Sequence, residues 1–139
     1  MKVKIKRLHP DAKLPTYAHE GDVGMDVYSL ENYVLKPGER RNFPNGFAMG
    51  LPNGYGAFVM DKGRFGNAGI SVLGGVIDAG YRGEYNVDLI NLSDTDFEIK
   101  KGDKIAQIVI LPVERAELEE VDELSETTRG KGRFGSTGI

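Results

Sequence analysis

Residues 44–60 read Pro-Asn-Gly-Phe-Ala-Met-Gly-Leu-Pro-Asn-Gly-Tyr-Gly-Ala-Phe-Val-Met, so glycine or proline interrupts the chain every few residues. The apolar pieces between these turn residues are too short for long amphipathic helices. The same pattern extends upstream from Pro10 to Gly38, around short apolar pieces such as residues 33–35. Many short strands joined by frequent turns predict an all-β protein, either a sandwich or a barrel.

Further strand patterns lie at both ends of this region. Residues 3–8 alternate apolar and basic side chains, which is typical of a half-buried strand. Residues 85–92 also alternate, with Tyr85 at the start of the apolar face. Residues 105–111 are apolar enough to be covered on both sides, apart from Gln107. Because a buried amide needs partners, we expect backbone groups to bind the Gln107 side chain.

The composition excludes several classes of function. The chain has 139 residues and a net charge of -3, which indicates one domain without broad affinity for nucleic acid. It contains no run of about eighteen apolar residues and no charged-then-apolar leader. We therefore expect a soluble, cytoplasmic protein with neither a membrane nor a nucleic acid as partner.

The residue types that remain narrow the possible chemistry. The absence of cysteine excludes disulfides, thiol nucleophiles and cysteine-ligated zinc. His9 and His19 do not have metal-ligand spacing, and we expect both at the surface near turns. A Ser-His-Asp hydrolase remains an alternative, although no Gly-x-Ser-x-Gly motif supports one. Otherwise any catalysis must depend on carboxylates, a bound metal and basic residues.

The stretch 75–84, Gly-Val-Ile-Asp-Ala-Gly-Tyr-Arg-Gly-Glu, contains the strongest candidate for chemistry. An apolar run leads to Asp78, and an Ala-Gly turn separates it from Tyr81. If this is a two-residue hairpin loop, Asp78 and Tyr81 are cross-strand neighbours on one face. A carboxylate beside an aromatic ring suits a site where a base activates water. Alternatively, Asp78 only caps backbone amides in a tight turn.

An acidic segment precedes the C-terminus. Residues 114–126 carry seven carboxylates and one arginine. Leu118, Val121 and Leu124 recur every third residue, which fits one or two helical turns. An extended arm packed on a neighbouring molecule fits equally well, and periodicity over this length leaves both alternatives open.

The pentapeptide Lys-Gly-Arg-Phe-Gly occurs twice, at residues 62–66 and 131–135. Glycine amides beside lysine and arginine suit a phosphate-binding loop. The second copy is followed by the hydroxyls of Ser136 and Thr137, and Phe134 could stack on a planar group. The alternative for the second copy is a disordered terminus.

Four motifs in order resemble the trimeric dUTPase family. They are Asp-Val-Gly-Met-Asp-Val-Tyr at 22–28, the stretch at 75–84, Gly-Asp-Lys-Ile-Ala-Gln at 102–107, and the glycine-rich run at 129–138. The resemblance implies a jelly-roll-like β-barrel or sandwich of the dUTPase β-clip type. It also implies a homotrimer with shared active sites and exchanged C-terminal arms.

The resemblance divides the chain into two parts. Residues 1–128 correspond to the β domain with its acidic arm. Residues 129–139 correspond to a flexible tail that closes over a neighbouring active site. The implied reaction is hydrolysis of dUTP to dUMP and pyrophosphate with Mg²⁺ held mainly by the triphosphate, which limits uracil in DNA and supplies dUMP for thymidylate synthesis.

The family also implies roles for individual residues. Asp78 activates the attacking water, Tyr81 packs against the deoxyribose, and Asp26 holds a water on the metal. The uracil edge is recognised by the main chain of Gly75, Val76 and Ile77. Gln107 contacts phosphate. From a neighbouring subunit, Phe134 covers the uracil while Arg129, Ser136 and Thr137 close over the phosphates.

The second motif departs from the family pattern, which is usually Arg-Ser-Gly or Arg-Ser-Ser. One alignment places Lys62 at the arginine and Gly63 at the serine, and another places Arg64 and Phe65 there. In both, the hydroxyl is absent and a cation remains. We therefore expect Lys62, Gly63 and Arg64 to contact phosphate, with the Gly63 amide replacing part of the missing hydroxyl.

Two rival functions follow from the same residues. A deoxycytidine triphosphate deaminase of related fold would need a glutamate, and Glu84 is the nearby candidate. We instead expect Glu84 to be solvated or paired with Arg82. A non-catalytic nucleotide-binding or interaction protein is the other alternative, because the serine of the second motif is missing.

Overall fold

Short antiparallel strands make up almost all of the regular structure. The computed structural model describes residues 1–138, and this part of the chain contains eleven strands and one five-residue helix. In chain order they are β1 (Lys4–Arg7), β2 (Met25–Tyr28), β3 (Tyr33–Leu35), β4 (Arg40–Phe43), β5 (Phe47–Gly50), β6 (Tyr55–Met60), α1 (Gly63–Asn67), β7 (Ile70–Leu73), β8 (Val76–Ile77), β9 (Val87–Asn91), β10 (Phe97–Ile99) and β11 (Lys104–Pro112). The all-β prediction is therefore confirmed.

The strands form two larger sheets and two strand pairs. The larger sheets have the orders β2-β11-β6-β8 and β4-β9-β7, and the pairs are β1-β5 and β10-β3. Every pairing is antiparallel. Strand β11 is long and lies between β2 and β6, so it links the first and second motifs of the chain.

One apolar core joins all four sheets. Its members include Leu35, Phe43, Phe47, Leu89 and Ile105, each at most 1% exposed. They come from β3, β4, β5, β9 and β11, so every sheet contributes to the same interior. Complete burial of such a side chain stabilises the fold by about 1.5–3 kcal/mol.

The predicted strands are present, but their burial differs in places. The alternation of residues 85–92 is confirmed, with Tyr85 buried and regular pairing starting at Val87. The prediction that residues 3–8 are half-buried is wrong for a single chain, because β1 pairs only with β5 and Ile5 stays 39% exposed. Strand β11 is buried at Ile105, Ala106 and Ile108, whereas its last two residues are exposed, Leu111 by 46%.

The acidic segment is neither helical nor packed on its own chain. Residues 114–126 have no regular structure, and all of them are exposed. Leu118 and Leu124 are 92% and 87% exposed. The helical alternative for this segment is therefore wrong, and an extended arm remains. Within residues 1–138, no helix has the length and apolar character needed to cross a membrane.

Candidate active site

The turn after β8 places Asp78 at the end of a sheet. The Tyr81 amide donates a hydrogen bond to the Asp78 carbonyl at 3.1 Å, which closes the turn. No strand follows until β9, so the expected two-residue hairpin with cross-strand Asp78 and Tyr81 is wrong. Neither Ala79 nor Gly80 has a positive φ. Hairpin turns of types I′ and II′ require positive φ at one or both central residues, and without it the chains splay apart.

The Asp78 side chain is free. It is exposed, and within residues 1–138 no hydrogen bond or salt bridge engages its carboxylate. The alternative that Asp78 caps backbone amides is therefore wrong. A carboxylate with unused lone pairs can accept a proton or a water hydrogen bond.

A cavity of about 300 Å³ lies beside this carboxylate. Its lining includes Asp78, Tyr81 and the main-chain segment 75–77 predicted to recognise a base. Asn42 and Asn86 complete its polar wall. The volume is at the lower end of the range for small-ligand sites. The structure thus brings together the predicted catalytic residue and the predicted base-binding and sugar-binding residues of one chain.

Two glycines leave room for this cavity wall. A Cβ at Gly75 would lie 2.2 Å from the Val59 carbonyl oxygen. The two backbones are this close because the Val59 amide donates a hydrogen bond to the Gly75 carbonyl. A Cβ at Gly83 would lie 2.4 Å from the hydroxyl oxygen of Tyr81. That hydroxyl donates to the Glu84 carbonyl at 3.0 Å, so the ring folds over Gly83 and stays fixed beside the cavity.

Glu84 has a structural partner. Its Oε1 accepts a hydrogen bond from the Gly46 amide at 2.9 Å, which ties this segment to the start of β5. The expected pairing with Arg82 is wrong, because Arg82 Nη1 donates to the carbonyls of Ala79 and Tyr81 at 2.6 and 2.9 Å. Glu84 is therefore held by backbone, which gives no support to a deaminase role.

A second group of polar residues surrounds Asp26 on β2. Its Oδ1 is 2.6 Å from Lys62 Nζ and its Oδ2 is 2.7 Å from Lys104 Nζ. Burial raises the pKa of Asp26, but the hydrogen bonds and charges of Lys104 and Lys62 outweigh it, so the pKa lies below its ordinary value. The contact with Asp26 raises the pKa of Lys104. Sequence reasoning missed Lys104, although the fourth motif contains it.

The chain before Lys62 is held by side chains from two other strands. Gln107 Nε2 donates to the Asp61 carbonyl at 2.8 Å, which agrees with the expectation that backbone satisfies this amide. The Asp61 carboxylate accepts hydrogen bonds from the Val72 amide at 2.6 Å and from the Ser71 hydroxyl at 3.2 Å. Asp61 is a structural residue that sequence reasoning did not identify.

The first copy of the pentapeptide is helical, which corrects the expectation of a loop. Phe65 in α1 is 1% exposed and packs edge-to-face on Phe97 with ring centroids 4.8 Å apart. The Arg64 guanidinium lies 5.7 Å from both ring centroids. Because Phe65 belongs to the core, its side chain is not available to a phosphate ligand.

The two groups of predicted site residues are far apart within one chain. Asp26 lies opposite Gln107, and Gln107 lies opposite Met60. Asp78 comes one residue beyond the pairing of β8 with Ala57. It therefore lies about four residues further along the sheet and about three strands across, which at ~3.3 Å per residue and ~4.8 Å per strand separates it from Asp26 by on the order of 20 Å.

The C-terminal tail does not approach either group. Hydrogen bonds of residues 129–138 stay local, as between the Ser136 amide and the Arg133 carbonyl at 2.8 Å. Phe134 is 97% exposed. Ile139 lies outside the described residues. Phe134, Arg129, Ser136 and Thr137 are thus not brought to Asp78 of their own chain, and their roles remain predictions.

The described residues also allow a test of the predicted magnesium. Among residues 1–138, no group of three or more His, Asp or Glu side chains could enclose a metal ion. Magnesium commonly keeps several waters and binds through one or two carboxylates plus substrate phosphates. Asp26 fits contact through water, because each of its oxygens retains a lone pair beyond its lysine bond.

Fold and cavity together define a β-rich protein with a small-ligand site beside a free carboxylate. A family model described as dUTPase matches residues 10–138. The deoxyuridine 5'-triphosphate nucleotidohydrolase of Thermobifida fusca is 49% identical and covers 99% of this chain and 79% of the relative. That of Clostridium tetani is 46% identical and covers 98% and 96%. The chain belongs to the dUTPase family.

Solved structures agree with this assignment. The dUTPase of Staphylococcus bacteriophage 80alpha with dUpNHpp has a TM-score of 0.90 at 28% identity and covers 99% of both chains. A mutant dUTPase from phage phi11 of S. aureus, with a coordinated structural Mg(II) ion, has a TM-score of 0.83 at 25% identity. It covers 91% of this chain and 100% of the phage chain. The fold is therefore jelly-roll-like, as predicted, and the enzyme is a dUTP diphosphatase.

Proposed function

We propose that Asp78 activates the water that converts dUTP to dUMP and pyrophosphate in this enzyme. The observation that carries the proposal is the free Asp78 carboxylate at the edge of the 300 Å³ cavity. The water oxygen forms a bond to the α-phosphorus, and Asp78 takes up the water proton. The bond between the α-phosphorus and the oxygen that bridges to the β-phosphate breaks, and pyrophosphate leaves. A positioned base of this kind contributes typically ~10²–10⁴-fold to rate.

The nucleoside is recognised by the cavity wall. Main-chain groups of Gly75, Val76 and Ile77 face a uracil edge, and the Tyr81 ring packs against the deoxyribose. The hydrogen bond of the Tyr81 hydroxyl to the Glu84 carbonyl supports this role, because it fixes the ring where a 2′-hydroxyl would collide with it. The preference for a 2′-deoxyribose then comes from steric exclusion of the 2′-hydroxyl by the Tyr81 ring.

The triphosphate is bound by cations and by main-chain amides at the other end of the sheet. Lys62 and the Gly63 amide serve as phosphate donors, with Arg64 nearby and with the second N–H of Gln107. When bound, Mg²⁺ would neutralise phosphate charge, and Asp26 would hold it through a water. Support comes from the position of Lys62 and Gln107 beside Asp26.

The active site is shared between copies of the chain. Asp26 and Asp78 are on the order of 20 Å apart by strand spacing, so one chain cannot bring both to one triphosphate. Homotrimers with exchanged arms are characteristic of the family. In a homotrimer, the cavity of one subunit meets the Asp26 group of another. Phe134, Arg129, Ser136 and Thr137 of the tail, within residues 129–139, close over the joined site.

The acidic segment is the exchanged arm of this trimer, and residues 1–128 form the domain that carries it. Strand β1 offers an edge, and edge strands pair readily with added strands. A groove beside it is lined by Lys4, Lys6 and Arg82. Its positive charge suits the seven carboxylates of residues 114–126. The absence of cysteine agrees with a cytoplasmic, reducing location.

The test is a pyrophosphate assay with dUTP, dTTP, UTP and dCTP in the presence of magnesium. We expect turnover of dUTP, far less of dTTP and UTP, and no ammonia from dCTP. Asp78→Asn should lower dUTP turnover at least ~100-fold while dUpNHpp still binds. Asp94→Asn, an exposed carboxylate in another turn, is the matched control. Near-normal turnover by Asp78→Asn would overturn the assignment of the base.

A further inference from the structure

Two ammonium groups share one carboxylate in the Asp26 group. Lys62 and Lys104 each contact a different oxygen of Asp26, at 2.6 and 2.7 Å. The three side chains therefore carry a net charge of about +1, since aspartate is ionised and both lysines are protonated near neutral pH. An ion pair would be neutral, so this cluster of three side chains has one positive charge in excess.

The exposure of the three groups differs. The Asp26 side chain is 3% exposed, whereas those of Lys62 and Lys104 are 28% and 46% exposed. The anionic group is covered, and both ammonium groups reach solvent. An approaching ligand therefore meets the two ammonium groups before the carboxylate that lies between them.

A β-bulge places Lys104 in this cluster. Between Lys104 and Ala106 the pairing of β11 with β2 shifts register, so Lys104 faces Tyr28 while Gln107 faces Asp26. Positions three apart on a regular strand point to opposite faces. The extra residue at the bulge turns Lys104 to the face of Gln107 and Asp26. Bulges often redirect a side chain beside an active site.

We propose that Lys104 is a second phosphate-binding residue, and that Asp26 is a positioning residue that holds Lys62 and Lys104 as a two-ammonium clamp for the triphosphate. The inference rests on the proposed binding of the triphosphate beside Lys62. No serine lies between Asp61 and Ile70, so no hydroxyl of this segment can bind phosphate and the ammonium groups beside it can take that place. Two ammonium groups have six N–H donors, and the two that contact Asp26 leave four that can reach more than one phosphate group.

The first experiment compares Lys104→Met with Lys101→Met by calorimetric titration of the full-length enzyme. Lys101 is the matched control, because it also pairs with one carboxylate, Asp11, at 2.9 Å on the surface. We expect Lys104→Met to bind dUpNHpp about tenfold more weakly, as for loss of one charge-assisted contact. Binding of dUMP, which lacks the β- and γ-phosphates, should stay unchanged. Lys104→Arg should retain most of the affinity.

The second experiment tests Asp26 without metal. In EDTA, Asp26→Asn should bind dUpNHpp several-fold more weakly than wild type, because the lysines lose their anchor even when no magnesium is present. Equal affinities of Asp26→Asn and wild type in EDTA would overturn the positioning role.

Two results would overturn the role of Lys104. One is equal dUpNHpp affinity of Lys104→Met and Lys101→Met, and the other is an equal loss of dUpNHpp and dUMP binding. Failure of the proposed role of Asp78 is distinguishable, because Asp78→Asn would then release pyrophosphate from dUTP at a near-normal rate. Melting temperatures of all variants verify that each one is folded.

Discussion

Nζ of Lys62 lies 2.6 Å from Oδ1 of Asp26, although the two residues are 36 positions apart in sequence. Lys62 follows the end of β6, whereas Asp26 lies in β2, with β11 between the two strands. The contact therefore joins the first and second motifs across the sheet. It also makes the stability of this end of the sheet depend on the charge of one buried carboxylate.

The stability of the fold should decrease in acid because of Asp26. Its pKa in the folded state is lowered, so its contribution is present above the unfolded value and is lost as pH falls through the lower folded value. Asp26→Asn should destabilise the protein by about 1.5–3 kcal/mol near neutral pH, as for loss of hydrogen bonds to a charged group. Below about pH 4 the difference should shrink. Urea denaturation from pH 7 to pH 3 measures it, and a constant difference would contradict the prediction.

Gly75→Ala should disrupt the pairing of β6 with β8. The new Cβ would lie 2.2 Å from the Val59 carbonyl oxygen, and this backbone cannot move without loss of the hydrogen bond to Val59. We expect a loss of about 1–3 kcal/mol and weaker dUpNHpp binding. Gly80→Ala is the control, since it meets no atom within 4 Å. Thermal unfolding compares the two, and equal melting temperatures would count against this account of Gly75.

Substitution of the phenylalanine should have different effects in the two identical pentapeptides, on stability in the first and on activity in the second. Phe65→Ala removes a core ring that contacts Phe97, so we expect a loss of about 3–5 kcal/mol in free energy of unfolding. Phe134→Ala removes a fully exposed ring and should leave that free energy unchanged. Its kcat/KM for dUTP should fall about tenfold, as expected for a stacked base. Chemical denaturation measures the free energy of unfolding of both variants, and steady-state kinetics measures their kcat/KM. A lower free energy of unfolding for Phe134→Ala would contradict the prediction.

The double substitution of Leu118 and Leu124 by serine should weaken the trimer. Both side chains are almost fully exposed on one chain, so their burial requires another molecule. Leu92→Ser, at a residue that is 69% exposed on the body of the domain, is the control. Sedimentation velocity should show smaller species for the double variant alone. A double variant that remains trimeric at all concentrations tested would refute the role of these leucines in assembly.

Turn punctuation and short apolar runs predicted the all-β fold, because both depend on local chemistry. The main wrong prediction about the strands was the two-residue hairpin at residues 78–81. Spacing alone suggested a hairpin, but a hairpin also needs positive φ in the turn, and an Ala-Gly pair does not impose it. The burial of residues 3–8 was mispredicted because alternation of apolar and basic residues indicates a strand but does not show which other element packs on its apolar face.

Site residues within the Gly75–Tyr81 segment could be predicted because they are contiguous in sequence. The contacts of Asp26 with Lys62 and Lys104 could not, since they join β2, the segment after β6, and β11. Alternation along β11 would put Lys104 and Gln107 on opposite faces, and only the bulge reverses this. Identical pentapeptides likewise gave no sign that Phe65 is core and Phe134 is exposed, because burial depends on the rest of the chain.

The separation of Asp26 from Asp78 has a genetic consequence. Suppose that every site takes Asp78 from one subunit and Asp26 from another. Substitution of Asp78 then inactivates one half of the site, and substitution of Asp26 inactivates the other half. Co-assembly of the two inactive chains should restore sites in which both halves are intact. Equally, an inactive chain produced together with the wild type should inactivate sites in the mixed trimers. The mutant allele should therefore be dominant-negative.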